Sequence, residues 1–158
     1  MSTASTTSTW SVEVPTPAAM ADLGRRLAPL LTPAAVALLA GPLGGGKTTL
    51  VRAVAEALGA GGLVRSPSFD LVHRHPLPDG RWLYHVDLYR LGDAVPDPDT
   101  LDVWDPDGII LVEWGAPWAR WFPDRLELAI AVRDDHRTVT VTAFGALLER
   151  FRVWRRRV

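Results

Sequence analysis

The chain of 158 residues has no cysteine. That excludes disulfides, thiolate metal sites and cysteine nucleophiles, and it fits a reducing compartment. It has no asparagine, so the Asn-Lys-x-Asp element that reads guanine in small GTPases is absent, and adenine is the default base. Net charge is only −1, so no global field recruits nucleic acid. Long apolar runs are missing too. The longest, Ala34–Ala40, is far too short to span a bilayer. The first nine residues are rich in Ser and Thr and lack the basic and apolar regions of a signal peptide. They read as a flexible tail (1–9), followed by one domain (10–154) and a basic tail (155–158). Cytoplasmic residence, away from any membrane, is the default expectation.

Lysine is nearly absent. Of 17 basic residues, only Lys47 is not arginine. It sits in Gly41-Pro42-Leu43-Gly44-Gly45-Gly46-Lys47-Thr48, which spells G-x-x-x-x-G-K-T, the phosphate-cradling P-loop. A compact ammonium reaches between the β- and γ-phosphates from within a ring of amides, where a planar guanidinium is too wide. The flanks agree. Ala35–Ala40 is a continuous apolar run suited to a strand buried on both faces. Thr49, Leu50, Val51, Ala53, Val54, Ala55, Ala57 and Leu58 carry a helix that stops at Gly59.

Elsewhere, Trp10–Val14 alternates as a short strand. Pro17 starts a helix with apolar residues at Met20, Leu23, Leu27 and Leu30. Phe69–His75 and Trp82–Leu88 form a hairpin about a turn at Pro76–Gly80. A short helix is expected around Thr100–Trp104 and a helical turn at Pro117–Phe122. Ile109–Val112 is another buried strand. Leu126–Val132 and Thr138–Ala143 flank a turn at Arg133–His136, and Phe144–Trp154 is a terminal helix. The whole reads as an α/β, P-loop NTPase-like three-layer fold with a mixed central sheet flanked by helices, and with ligands at strand ends.

Gly44, Gly45, Gly46, Lys47, Thr48 and Thr49 are therefore expected to hold a nucleotide's phosphates at a helix N-terminus. Thr48 offers a hydroxyl to Mg²⁺. Phosphoryl transfer also needs a carboxylate near the metal and a group that orients water. Asp87 and Glu113 each end an apolar strand and are the candidates, against the plain alternative of strand-end capping. Ser66 and Ser68 flank a proline, either as a γ-phosphate sensor or as the start of a strand. His85, two before Asp87, either bonds that carboxylate or is a satisfied core histidine. His73 and His75 share a strand face, but no third ligand is spaced to make a zinc site. Trp114, Trp118 and Trp121 are either core or a partner surface. Arg150–Arg157 is more simply a solvated end than an RNA contact.

Four strings in order, Gly41–Leu50, Ser66-Pro-Ser-Phe69, His85-Val-Asp-Leu-Tyr-Arg-Leu91 and Leu111-Val-Glu-Trp114, resemble the TsaE family of bacterial tRNA threonylcarbamoyladenosine synthesis. The resemblance runs from Val12 to Ala143. It implies an ATPase that binds and hydrolyses Mg-ATP as an accessory to the TsaB–TsaD pair. TsaD performs the transfer to the adenosine beside the anticodon in tRNAs reading ANN codons, so contact with tRNA is indirect. It implies catalytic roles for Lys47, Asp87 and Glu113, and Mg²⁺ held by Thr48 and Glu113. Less directly, it places the Pro15–Pro17 segment (Pro17 among the binding residues) and Arg137 beside the adenine. The chain departs from the family pattern at Pro42 (usually Asp), Ser68 (often Thr) and Gly-Ala-Pro after Trp114 (commonly Pro-Glu). Two other readings of the P-loop remain, a small-molecule kinase and a nucleotide-sensing scaffold. Weak hydrolysis alone is expected, because no built-in arginine finger is evident.

Overall fold

The computed structural model describes residues 7–60 and 71–158. Seven strands form one mixed sheet: β1 (Thr7–Val14), β2 (Ala35–Ala40), β3 (Val72–Pro76), β4 (Trp82–Asp87), β5 (Ile109–Glu113), β6 (Leu126–Arg133) and β7 (His136–Phe144). Their order is β1-β7-β6-β2-β5-β4-β3. β2 lies parallel to both β5 and β6, and β4 is parallel to β5. Hence the four central strands deliver their C-terminal ends to one edge. The β3–β4 and β6–β7 hairpins and the outer β1–β7 pair are antiparallel.

Burial on both faces explains the composition of the centre. β5 reads Ile-Ile-Leu-Val-Glu and is buried throughout. On one face, Ala37, Leu39, Leu83, Ile109 and Leu111 join the buried sides of α1 (Pro17–Leu31), α2 (Lys47–Ala57) and α3 (Leu147–Arg155). On the other, Leu38, Tyr84, Val86, Ile110 and Val112 meet Val103, Trp118 and Phe122. The long helices thus share one face. The opposite layer is built from 3-10 turns, Tyr89–Leu91 and Ala116–Trp121, and the segment between β4 and β5.

α1 begins as its sequence asks. Thr16 caps it by accepting from the Ala19 amide at 3.1 Å, and Pro17 occupies the first turn, where no amide is needed. Three expectations shift. β1 starts at Thr7 rather than Trp10, because Thr7, Ser8 and Thr9 pair with Phe144, Ala143 and Thr142. No helix forms at 100–104. Instead the Asp97 carboxylate accepts from the Thr100 amide at 2.8 Å and its hydroxyl at 3.0 Å, which fixes a turn. α3 starts at Leu147 and runs through Arg155, into the expected tail.

Candidate functional site

The P-loop links β2 to α2 at the C-terminal edge of the sheet. Gly44 and Gly46 take φ values of 74° and 108°, a region that suits residues without a Cβ. At Gly46 a Cβ would also stand 2.9 Å from the Met20 methyl of α1. Gly46 is the N-cap of α2, and no side chain caps the helix there. The positive end of the helix dipole is therefore left to an anion.

Lys47 is 5% exposed. Its Nζ donates to the Gly41 carbonyl at 2.7 Å and the Pro42 carbonyl at 2.9 Å. The same ammonium lies 4.4 Å from the centre of the Trp114 ring. Burial lowers its pKa from 10.5, against the opposing pull of the Glu113 and Asp87 charges.

The β4–β5 register sets Asp87 directly beside Glu113. Thr48 Oγ1 donates to the Glu113 carboxylate, 3.1 Å from Oε1 and 3.4 Å from Oε2. Asp87 accepts the Tyr89 amide at 3.0 Å. Burial raises the pKa of Asp87 above 3.8. The Tyr89 amide opposes that shift, and the neighbouring Glu113 charge adds to it. Trp114, immediately after Glu113, holds a φ of 57° and tilts against Tyr89 with ring centres 5.0 Å apart. A bulky side chain in that region is strained, a condition that clusters at functional sites.

Two hollows meet at the loop. One of about 290 Å³ is lined by Leu43, Gly44–Thr49, Asp87, Tyr89, Glu113 and Trp114. The second, of about 240 Å³, is bounded by Thr16, Pro17, Met20, Gly44, Gly46, Thr49 and Arg137. The structure thus gathers Lys47, Thr48, Asp87 and Glu113 around one cavity, and Pro17 with Arg137 around the next. Arg137 ties the two together, donating to the Gly45 carbonyl at 2.8 Å and the Gly44 carbonyl at 3.1 Å. A larger hollow, about 340 Å³, is lined by Asp97, Pro98, Asp99, Trp104 and Trp121 and contains none of these residues.

The readings left open divide between their alternatives. His85 is a core histidine with no exposed surface, and it does not bond Asp87. Its Nε2 lies 2.5 Å from Glu113 Oε2. Of the three tryptophans after Glu113, only Trp114 lines the cavity that holds Lys47, Asp87 and Glu113. Trp118 is core at 1% exposure, with its indole donating to the Pro96 carbonyl, and Trp121 lies at the surface. His73 and His75 meet edge to face, and no metal-binding cluster occurs among the described residues. Ser66 and Ser68 lie outside the described residues. Tyr89 and Leu43 were missed as cavity walls. The aromatic in Asp87-Leu88-Tyr89 was the available signal for the first, and nothing local marked the second.

Both the sequence and the fold match known proteins. The family model described as "Threonylcarbamoyl adenosine biosynthesis protein TsaE" matches residues 14–140. The tRNA threonylcarbamoyladenosine biosynthesis protein TsaE of Streptomyces coelicolor is 46% identical over 135 residues, 80% of this chain and 91% of the relative. The Bacillus subtilis protein of the same name is 37% identical over 72% of each chain. That of Haemophilus influenzae is 32% identical over 82% of this chain and 87% of its own. The crystal structure of Bacillus subtilis YdiB superposes with a TM-score of 0.74 at 28% identity, covering 98% of this chain and 99% of that one.

Proposed function

The chain belongs to the TsaE family of tRNA threonylcarbamoyladenosine biosynthesis, and from that premise we propose that it binds and hydrolyses Mg-ATP as an accessory subunit of a TsaB–TsaD pair. One observation carries the reading. A helix N-terminus without a side-chain cap, a buried lysine and two carboxylates converge on a single cavity. No simpler structural role calls for that set.

The donors suit the metal. Thr48 and Glu113 present a hydroxyl and a carboxylate side by side, the hard oxygen ligands that Mg²⁺ prefers. When bound, the cation neutralises charge on the transferred phosphoryl group. Lys47 serves the same end from the loop, with Nζ held at the cavity by two carbonyls. The water-orienting role falls to Asp87. The chain contains neither glutamine nor asparagine, and Asp87 is the carboxylate lining the cavity that Thr48 does not engage. Pro17 and Arg137 border the second hollow, which suits the adenine.

Among the described residues no arginine lines the phosphate-side cavity. That supports slow intrinsic turnover and completion of the site by a partner. Leu43 and Tyr89, 66% and 50% exposed, give the cavity mouth an apolar rim suited to such docking. The resemblance supplies the partners' identity, TsaB and TsaD, with tRNA reached through them. No helix among the described residues is long and apolar enough to cross a membrane, and we place the protein in the cytoplasm with its tRNA pathway.

The test is phosphate release from ATP, alone and with TsaB–TsaD. Slow release alone and faster release in the complex are expected. An absence of turnover in both conditions removes the ATPase reading. Phosphate transfer only to an added acceptor indicates a kinase. A Glu113→Ala variant that keeps full cellular function indicates a scaffold.

A further inference from the structure

His85 has no exposed surface and lines none of the cavities described above. It sits two residues before the end of β4, and the register sets it opposite Leu111 and diagonal to Glu113. Its Nε2 meets Glu113 Oε2 at 2.5 Å. The other ring nitrogen, Nδ1, is buried without a hydrogen-bond partner among the described residues. A histidine kept for packing alone is a costly choice here, since an apolar side chain would fill the space with no orphaned nitrogen. Among the described residues, the one polar contact it makes is with the Glu113 carboxylate.

That contact constrains a torsion. The terminal χ of a glutamate is broad and close to two-fold, so an unrestrained carboxylate swings. His85 anchors Oε2, and Thr48 then lies closer to Oε1, at 3.1 Å against 3.4 Å for Oε2. One contact comes from the buried strand β4 and the other from the first turn of α2. We propose that His85 is a positioning residue for Glu113. It sets which carboxylate oxygen faces Thr48, and so sets the affinity of the Thr48–Glu113 pair for a divalent cation. The inference rests on the Mg-nucleotide reading of the site. Partners that orient a metal-ligating group commonly change metal affinity by about 10–100-fold when removed.

The test compares two polar substitutions of similar cost to the core. In His85→Gln the amide nitrogen reaches about as far as Nε2. In His85→Asn it stops short. Both variants are checked for folding by near-UV circular dichroism. Binding of a fluorescent ATP analogue is then titrated with Mg²⁺ and repeated in EDTA. The Mg²⁺ concentration for half-maximal tightening should rise about 10–100-fold in His85→Asn and return most of the way in His85→Gln, while binding in EDTA is unchanged in both. Equal Mg²⁺ midpoints in the two folded variants overturn the proposal, as does an equal loss of binding in EDTA, which marks a packing role. If His85→Asn does not fold, His85→Gln decides alone, and a full midpoint shift in it overturns the proposal. A wild-type protein indifferent to Mg²⁺ overturns this inference and the Mg-nucleotide reading together. A normal wild-type response with indistinguishable variants overturns only the role of His85.

Discussion

The Lys47 ammonium lies 4.4 Å from the centre of the Trp114 ring. With the Gly41 and Pro42 carbonyls it is enclosed by three electron-rich groups. The π-face contact is worth about 0.5–2 kcal/mol, an amount that phosphate contacts can replace. Nucleotide binding should therefore draw the ammonium off the indole and change Trp114 emission. In Trp114→Phe, calorimetry should still detect binding, whereas the emission change should largely vanish. An undiminished change in that variant would assign the signal to another of the seven tryptophans.

The same enclosure makes Lys47→Arg a severe change. A guanidinium cannot take the place of a point donor between two carbonyls 2.7 Å and 2.9 Å away. Losing charge-assisted hydrogen bonds of about 1.5–3 kcal/mol should weaken Mg-ATP binding about 10- to 150-fold, in Lys47→Arg as in Lys47→Ala. Calorimetric titration reads it directly. Wild-type affinity in Lys47→Arg would show that the loop tolerates a wider cation.

Asp87 carries a cost to the fold. Burial, assisted by the Glu113 charge and opposed by the Tyr89 amide, raises its pKa above 3.8. The folded state then binds this proton more tightly than the unfolded chain does. Stability from that source is complete below 3.8 and is lost as pH rises through the folded value. At neutral pH the ionised group is a net burden, so Asp87→Asn should melt at the same temperature as wild type or higher. If Asp87 orients water, the same variant should lose about 10²-fold or more in hydrolysis. A lower melting temperature at neutral pH would mean that attraction to Lys47 outweighs burial.

The parts of this site that were legible in the sequence are those written in consecutive residues. Gly41–Thr48 specifies its loop residue by residue, and Ala35–Ala40 has the all-apolar composition of a strand with no solvent face. Register is not written that way. Nothing near His85 states that β5 will lie beside it with Leu111 opposite and Glu113 on the diagonal. The sequence offered only the nearer acid, Asp87, or a core position for this histidine, and Glu113 was not among its readings. The missing helix at 100–104 has a local cause, because Asp97 takes the Thr100 amide and Asp102 adopts a φ of 56°. The early start of β1 was hidden because Thr7, Ser8 and Thr9 carry no alternation, and only pairing with β7 reveals them as a strand.

Helix packing beneath the loop gives a stability prediction. At Gly24 of α1, an added Cβ would overlap Ala53 Cβ of α2 and lie 3.1 Å from the Leu50 carbonyl oxygen and the Val54 nitrogen. Backbone atoms do not yield as a flexible side chain does. Overpacking costs about 1–3 kcal/mol, against about 1 kcal/mol regained from helix propensity. Gly24→Ala should lower the melting temperature by a few degrees, at about 2–4 °C per kcal/mol. It should also weaken nucleotide binding, because α2 carries Lys47 and Thr48. An unchanged melting temperature would mean that the two helices separate freely.

Arg150 separates the basic C-terminus into two kinds of residue. Its guanidinium donates through one nitrogen to the Leu30 carbonyl at 3.1 Å and the Ala34 carbonyl at 2.9 Å, bracketing the passage from α1 to β2. Burial lowers its pKa below the usual arginine value, yet an arginine stays charged at neutral pH. Arg150→Ala orphans both carbonyls and should cost about 1–3 kcal/mol. Arg150→Lys should recover part of that loss, since an ammonium can donate to both. Arg155, Arg156 and Arg157 are exposed, and their replacement by alanine should change stability by less than about 0.5 kcal/mol. Thermal melts rank the four positions. RNA retention measured against salt then tests the other use of this end. A tail that touches RNA would lose salt-sensitive binding when Arg155, Arg156 and Arg157 are removed, and folded Arg150→Lys would keep it.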